Sequence, residues 1–204
     1  MLRMFACLAL TICAYFGTGG KVHADWKGPY IGITAKLLHG HPSGLNDNDA
    51  DLSFKTIVGS ALIGYNLKAG DLMFGLETGI DKGGEGVHED GFYNFEYSAA
   101  YYAGARVGYD LGRYLPYAKV SRLSMLYSFS VDHPMLSSIE DDGALHGVGC
   151  GVGLDIFFKR NGFARIELER RVFHAENLDF GSGFEVSFDG QAIDVLSAGI
   201  GYRF

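Results

Sequence analysis

The 204-residue chain has no apolar run long enough to cross a membrane as a helix. Such a helix needs about 20 residues; the longest apolar stretch, residues 4–16, is shorter and lies at the amino terminus. Cysteine is scarce: Cys7 and Cys13 fall inside that stretch, which leaves Cys150 alone in the rest of the chain. An internal disulfide framework is therefore excluded for the remainder. Basic residues are also few, 17 Lys and Arg against 24 Asp and Glu, a formal net charge of −7. That balance argues against nucleic acid as a partner.

The amino terminus has the three parts of a secretory signal: Arg3, the short apolar core, and Val22-His23-Ala24 before Asp25. The expected division is a cleaved signal peptide, residues 1–24, and a single domain, residues 25–204. Leu10-Thr11-Ile12-Cys13 is a poor lipoprotein motif, because Ile12 is not small. Removing Arg3 and Lys21 with the signal leaves 15 basic against 24 acidic residues, a net charge of −9.

What the rest of the chain does have is two-residue alternation in segments of ten or more residues. Over residues 92–110, Tyr93, Phe95, Tyr97, Ala99, Tyr101, Ala103, Ala105, Val107 and Tyr109 alternate with a set containing Glu96, Tyr102, Gly104 and Arg106. A helix would mix these classes on every side, whereas a strand separates them. Residues 72–82 set Leu72, Phe74, Leu76 and Ile80 opposite Gly75, Glu77, Gly79 and Asp81. Residues 146–158 set Val148, Cys150, Val152, Leu154, Ile156 and Phe158 opposite four glycines and Asp155. Residues 163–172 set Ala164, Ile166 and Leu168 opposite Arg165, Glu167, Glu169 and Arg171. Residues 26–38, 54–65 and 115–130 alternate less cleanly. The last segment, 191–204, places Leu196, Ala198, Ile200, Tyr202 and Phe204 on one face and Ser197, Gly199, Gly201 and Arg203 on the other.

These eight segments are joined by breaks of two sizes that take turns. Residues 68–71, 110–113 and 159–162 are short breaks, the last with Asn161-Gly162, a strong hairpin signal. Residues 39–53, 83–91, 131–143 and 173–189 are long. That order predicts an all-β, eight-stranded antiparallel transmembrane barrel, an up-and-down meander with periplasmic turns, surface loops and both termini in the periplasm. A soluble carrier barrel would turn its apolar face inward and its charges outward. Here tyrosines and phenylalanine at strand ends, Tyr93, Tyr109, Tyr117, Tyr202 and Phe204, read as an aromatic girdle on the lipid face.

Trp26-Lys27-Gly28-Pro29-Tyr30-Ile31-Gly32 resembles the opening strand of the outer-membrane β-barrel surface antigens of alphaproteobacteria. Residues 102–109 resemble their fourth strand, residues 164–169 their seventh, and Gly199-Ile200-Gly201-Tyr202-Arg203-Phe204 their ending. The resemblance, which extends to the barrel domain of the OmpA class, implies a small porin-like barrel in the cell outer membrane. It also implies insertion by the outer-membrane assembly machinery, with Ile200, Tyr202 and Phe204 as part of the assembly signal. Asp132-His133-Pro134 and the acidic Glu140-Asp141-Asp142 of the third long break match no motif of that family. Nothing follows Phe204, so the peptidoglycan-binding domain of larger relatives is not expected.

Glu77, Glu96, Arg106, Lys119, Asp155, Arg165, Glu167, Glu169, Arg171 and Arg203 are expected to face the lumen. In a barrel this narrow they should pair into a ladder, because an unpaired buried ion costs several kcal/mol. The rival reading is a narrow cation-preferring pore. The acidic loops read as a solvated rim, or as one that shares divalent cations with lipopolysaccharide phosphates. Outer-membrane lipid and lipopolysaccharide are thus expected partners, with a host or envelope ligand at the loops. His39, His41, His88, His133, His146 and His174 lie in or near the long breaks, but their spacing matches no metal motif, so neither metal nor cofactor is expected. A lipid A-modifying enzyme would need a positioned nucleophile and base. The sole candidate triplet, His41-Pro42-Ser43, sits in a loop, and no catalysis is expected.

Overall fold

A computed structural model describes residues 25–41, 54–82, 93–131, 139–158, 161–173, 177–179, 185–187 and 192–204. The proposed signal, residues 1–24, lies outside them. The strands are β1 (Gly28–His41), β2 (Phe54–Ala69), β3 (Leu72–Lys82), β4 (Tyr93–Tyr109), β5 (Tyr114–Val131), β6 (Ile139–Phe157), β7 (Gly162–Phe173), β8 (Asn177–Asp179), β9 (Glu185–Ser187) and β10 (Ala192–Arg203). Eight of them close a barrel in the order β1-β10-β7-β6-β5-β4-β3-β2, every pairing antiparallel. β8 and β9 form a separate two-stranded sheet inside the segment read as the fourth long break.

The tight turns explain the meander. Gly70, Gly112 and Asn161, one in each short break, have positive φ of 63°, 75° and 69°. Glycine adopts this left-handed region without cost, and asparagine tolerates it better than most residues. The Asp110 carboxylate accepts the Gly112 N–H at 2.8 Å and so closes the second turn with a side chain.

Register fixes the barrel's shape. From Lys55 in β2 the partners run through His39, Asp194, Arg170, Cys150, Val120, Ala105 and Leu76, and return to β2 at Tyr65. The path comes back ten residues further along, a shear of ten for eight strands. Such a stagger tilts strands by about 35–45° and leaves an interior just wide enough to be filled by side chains.

The outward positions form an apolar band, with Ile57 and Leu76 more than two-thirds exposed. A water-soluble monomer does not present so continuous an apolar wall. Inside, two apolar layers bracket a polar band. Trp26, Met73, Leu115 and Phe163 fill the turn end; Leu38, Val58, Leu123, Met125, Ile193 and Val195 fill the loop end. Trp26 donates its indole N–H to the Gly112 carbonyl at 2.8 Å and meets Phe157 and Phe163 edge to face.

These layers account for the segments that alternate poorly. In β1, β2 and β5 the inward set is itself largely apolar near the barrel ends, so the two faces look alike in sequence. One girdle assignment fails for this reason. Tyr117 points into the lumen and is 5 % exposed, whereas Tyr109, Tyr202 and Phe204 lie on the outer wall. One boundary and one register also shift. β6 begins at Ile139, so Glu140-Asp141-Asp142 belongs to a strand paired with β5 rather than to a loop. The alternation read from 92 to 110 is not continuous, because the β4–β5 register shifts between Tyr97 and Ala99 where one extra residue forms a bulge. The Tyr93 side chain lies outside the described residues.

Candidate functional site: an ionic lumen

Among the described residues the middle of the barrel carries ten buried charged side chains: Lys36, Arg106, Lys119, Arg165 and Arg171 against Glu77, Asp81, Asp155, Glu167 and Glu169. Five positive and five negative groups leave no net charge. Strand alternation delivers them: β3 supplies Glu77 and Asp81, β5 Lys119, β6 Asp155, and β7 four at successive inward positions.

Nearest the turns, Asp155 accepts from the Arg106 guanidinium at 2.8 Å and from Arg165 at 2.7 and 3.0 Å. Arg165 bridges onward to Glu77 at 2.6 Å, and Glu77 also accepts the Tyr30 hydroxyl at 2.9 Å. Arg106 donates to the Asn66 side-chain oxygen at 3.2 and 3.0 Å, while the Asn66 amide donates to the Trp26 carbonyl. The polar band is thereby tied to the apolar layer beneath it. The Arg106 guanidinium also lies 4.6 Å from the Tyr30 ring centre and 4.8 Å from that of Tyr117.

In the centre Lys119 donates to Glu167 at 2.5 Å and stands 3.7 Å from Glu77; Tyr117 donates to Glu167 at 2.7 Å. Towards the loops Arg171 joins Glu169 and Asp81, each at 2.9 Å. Asp81 takes Lys36 at 2.7 Å, and Glu169 takes the Ser121 hydroxyl at 2.8 Å. Every buried ion thus has an opposite charge within reach, most of them two partners, the condition under which burial is tolerated.

Eight of the ten lumen residues named from sequence meet in this network: Glu77, Arg106, Lys119, Asp155, Arg165, Glu167, Glu169 and Arg171. Arg203 does not. It sits half-buried at the turn end, donating to the Lys27 carbonyl at 3.0 Å, because β10 ends beyond the ionic band. Glu96 pairs in register with Ser128 beyond the β4 bulge, so it no longer shares an unbroken alternation with Arg106, and its side chain lies outside the described residues. The sequence alternation does not name Lys36 or Asp81 as ladder members, nor Tyr30, Asn66, Ser121 or Tyr102, whose hydroxyl reaches Glu77 at 3.4 Å. Asp81 already stood on the polar face of its segment; Lys36 lay in β1, where alternation is weak.

Glycines make room for the larger side chains. A Cβ on Gly153 would come 2.4 Å from the Tyr117 ring, and one on Gly64 2.2 Å from the Tyr30 ring. In β10, Ile200, Tyr202 and Phe204 face outward and are about half exposed or more. Tyr202 and Phe204 meet edge to face at 5.4 Å, and the Phe204 N–H donates to the Pro29 carbonyl, closing the wall. The side chain of His41, the residues His88, His133 and His174, and Ser43 all lie outside the described residues.

The fold and the sequence have known counterparts. The chain is 24 % identical over 185 residues to a 22 kDa outer membrane protein of Rhizobium leguminosarum bv. viciae, covering 90 % of this chain and 81 % of that one. Among solved structures, Ail, the attachment invasion locus protein of Yersinia pestis, aligns with a TM-score of 0.55 at 14 % identity, covering 87 % of this chain and 99 % of Ail. Neisserial surface protein A aligns with a TM-score of 0.51 at 18 % identity, covering 87 % and 97 %. The family description "Outer membrane protein beta-barrel domain" matches residues 5–204. With a closed barrel that is apolar outside and ionic inside, the chain belongs to this family of outer-membrane β-barrel proteins.

Proposed function

We propose that the protein is a structural and surface-interaction barrel of the outer membrane, with a sealed lumen and loops that face outward to meet a host or envelope ligand. One observation carries this reading: the ten inner charges among the described residues sum to zero, pair among themselves, and lie between two apolar layers. A cation-selective path needs an excess of carboxylates and continuous water; both are disfavoured by this arrangement. On the same reading residues 1–24 are the secretory signal and both termini are periplasmic. The assembly machinery recognises Ile200, Tyr202 and Phe204, lipid and lipopolysaccharide surround the wall, and the chain catalyses no reaction.

Planar-bilayer recording tests the sealed lumen. The intact protein is expected to pass negligible current, and a leak is expected after Arg106 or Arg165 is replaced by methionine. A steady cation-selective current from the unmodified protein would replace this proposal with a narrow pore.

A further inference from the structure

Trp26 differs in kind from the other apolar side chains that fill the lumen. Of the buried apolar side chains among the described residues, it alone lies outside a strand, two positions before β1 begins. The loop-end layer of Leu38, Val58, Leu123, Met125, Ile193 and Val195 is carried by paired strands, so it moves only if the ladder breaks. Trp26 is held instead by a short set of discrete contacts. Its indole N–H donates to the Gly112 carbonyl at 2.8 Å, and its own carbonyl accepts the Asn66 amide at 2.9 Å. Its ring meets Phe157 and Phe163 edge to face. The flanking Asp25 and Lys27 are charged and exposed. The Lys27 N–H donates to the Asp25 carboxylate at 3.1 Å, which makes these three residues a turn of their own.

A hinge and a clasp adjoin this turn. Gly28 has a φ of 109°, a conformation that glycine alone adopts readily. A Cβ there would meet nothing nearer than the Phe204 carbonyl oxygen at 3.7 Å, so the backbone requires glycine and the available space does not. Pro29 has a fixed φ, which confines the hinge to Gly28. Arg203 is the clasp. Its Nη1 donates to the Lys27 carbonyl at 3.0 Å and lies 3.4 Å from the Phe204 carbonyl, tying the segment to the end of β10. The same Asn66 that holds the Trp26 carbonyl also holds Arg106 through its side-chain oxygen. Displacing Trp26 therefore uncovers the turn-side end of the ionic band.

We propose that residues 25–27 form a gate at the turn end of the lumen. Trp26 unseats about Gly28 while the barrel stays closed, and it admits periplasmic water and small ions as far as Arg106 and Asp155. The loop-end layer stays in place, so the lumen opens to one side only. This inference rests on the sealed lumen and the membrane orientation proposed above, and gives that seal one movable part. Local opening is favoured where few contacts must break, and here the segment has no ladder hydrogen bonds to lose.

Trp26 is the sole tryptophan of the chain, so its fluorescence reports the gate directly. The test follows acrylamide quenching of that emission in the whole protein in detergent micelles across a urea series. The gel shift between unheated and boiled samples is read in parallel. Quenching is expected to rise at urea concentrations that leave the folded gel band intact. R203M should raise the unseated population about fivefold, the effect of losing one hydrogen bond, with little change in the temperature at which the folded band converts. R203K should restore most of the protection, and G28A should act in the same direction as R203M by straining the seated form. In planar bilayers W26A should remain silent, because the loop-end layer is untouched. Quenching that rises only as the folded band disappears would overturn the gate, as would R203M and G28A proteins quenched no more than wild type. Current through W26A would overturn the one-sided opening. A conducting wild type removes the sealed-lumen reading, whereas a silent wild type whose Trp26 never unseats removes this inference alone.

Discussion

The same strands build two walls that obey different rules. On the inner wall each charged side chain is held by named partners at hydrogen-bond distance, as Asp155 is by Arg106 and Arg165. On the outer wall Ile57, Leu76 and Ile200 touch mainly the surrounding medium, and many apolar residues would serve there. The inner wall is therefore specific and intolerant, because a lost partner strands a charge in a low-dielectric interior. The outer wall is permissive, because lipid offers dispersion contact to any apolar shape. The ion pair Arg170–Asp194, on the outer face and well exposed, is chemically like those inside, yet its setting removes most of its worth.

The contrast is broken most severely at Arg165. Its replacement by methionine takes one of two cationic partners from both Asp155 and Glu77 and leaves the described lumen one positive charge short, and the expected loss is about 3–5 kcal/mol. The temperature at which the folded gel band converts to the unfolded band should fall markedly; an unchanged conversion temperature would mean that the inner pairs do not hold the barrel. Next comes Gly153→Ala, which drives a methyl group into the Tyr117 ring. Overpacking of this kind costs about 1–3 kcal/mol, measurable by the same gel or by urea unfolding in micelles. On the outer wall, deletion of Phe204 is expected to lower the amount of inserted barrel several-fold in cells while secretion continues, an effect on assembly rather than on packing. Comparable insertion with and without Phe204 would remove the terminal aromatic from the assembly signal. The smallest effect is expected for Arg170→Met or Asp194→Leu, below about 1 kcal/mol, because solvent and salt screen an exposed pair. A shift as large as that of Arg165→Met would erase the distinction between the two walls.

Much of the barrel was legible because lipid and lumen demand opposite residues at successive positions, and β3, β6, β7 and β10 write that demand cleanly. Four inward charges of β7 could be read directly from Arg165, Glu167, Glu169 and Arg171. The bulge near Ser98 was not legible, since one extra residue leaves no mark in a run already rich in tyrosine and alanine. Nor was the strand start at Ile139, where acidic residues that look like a loop pair with β5. Tyr117 was misplaced because tyrosine suits either wall: its ring can face lipid at an interface, or its hydroxyl can reach a buried carboxylate, as it does with Glu167.

The amino-acid order by itself determined the strand count, the alternation of long and short connections, and the face to which most charges belong. These are local consequences of a two-residue period and of turn chemistry. Which charge meets which was decided only by closure. Glu77 and Arg165 are 88 residues apart and come together because a shear of ten folds opposite sides of the wall onto one narrow axis. Lys36 joined the network, and Arg203 did not follow the expected ladder, for the same reason. A side chain's height in the barrel depends on the register of all eight strands, a property that no single segment contains.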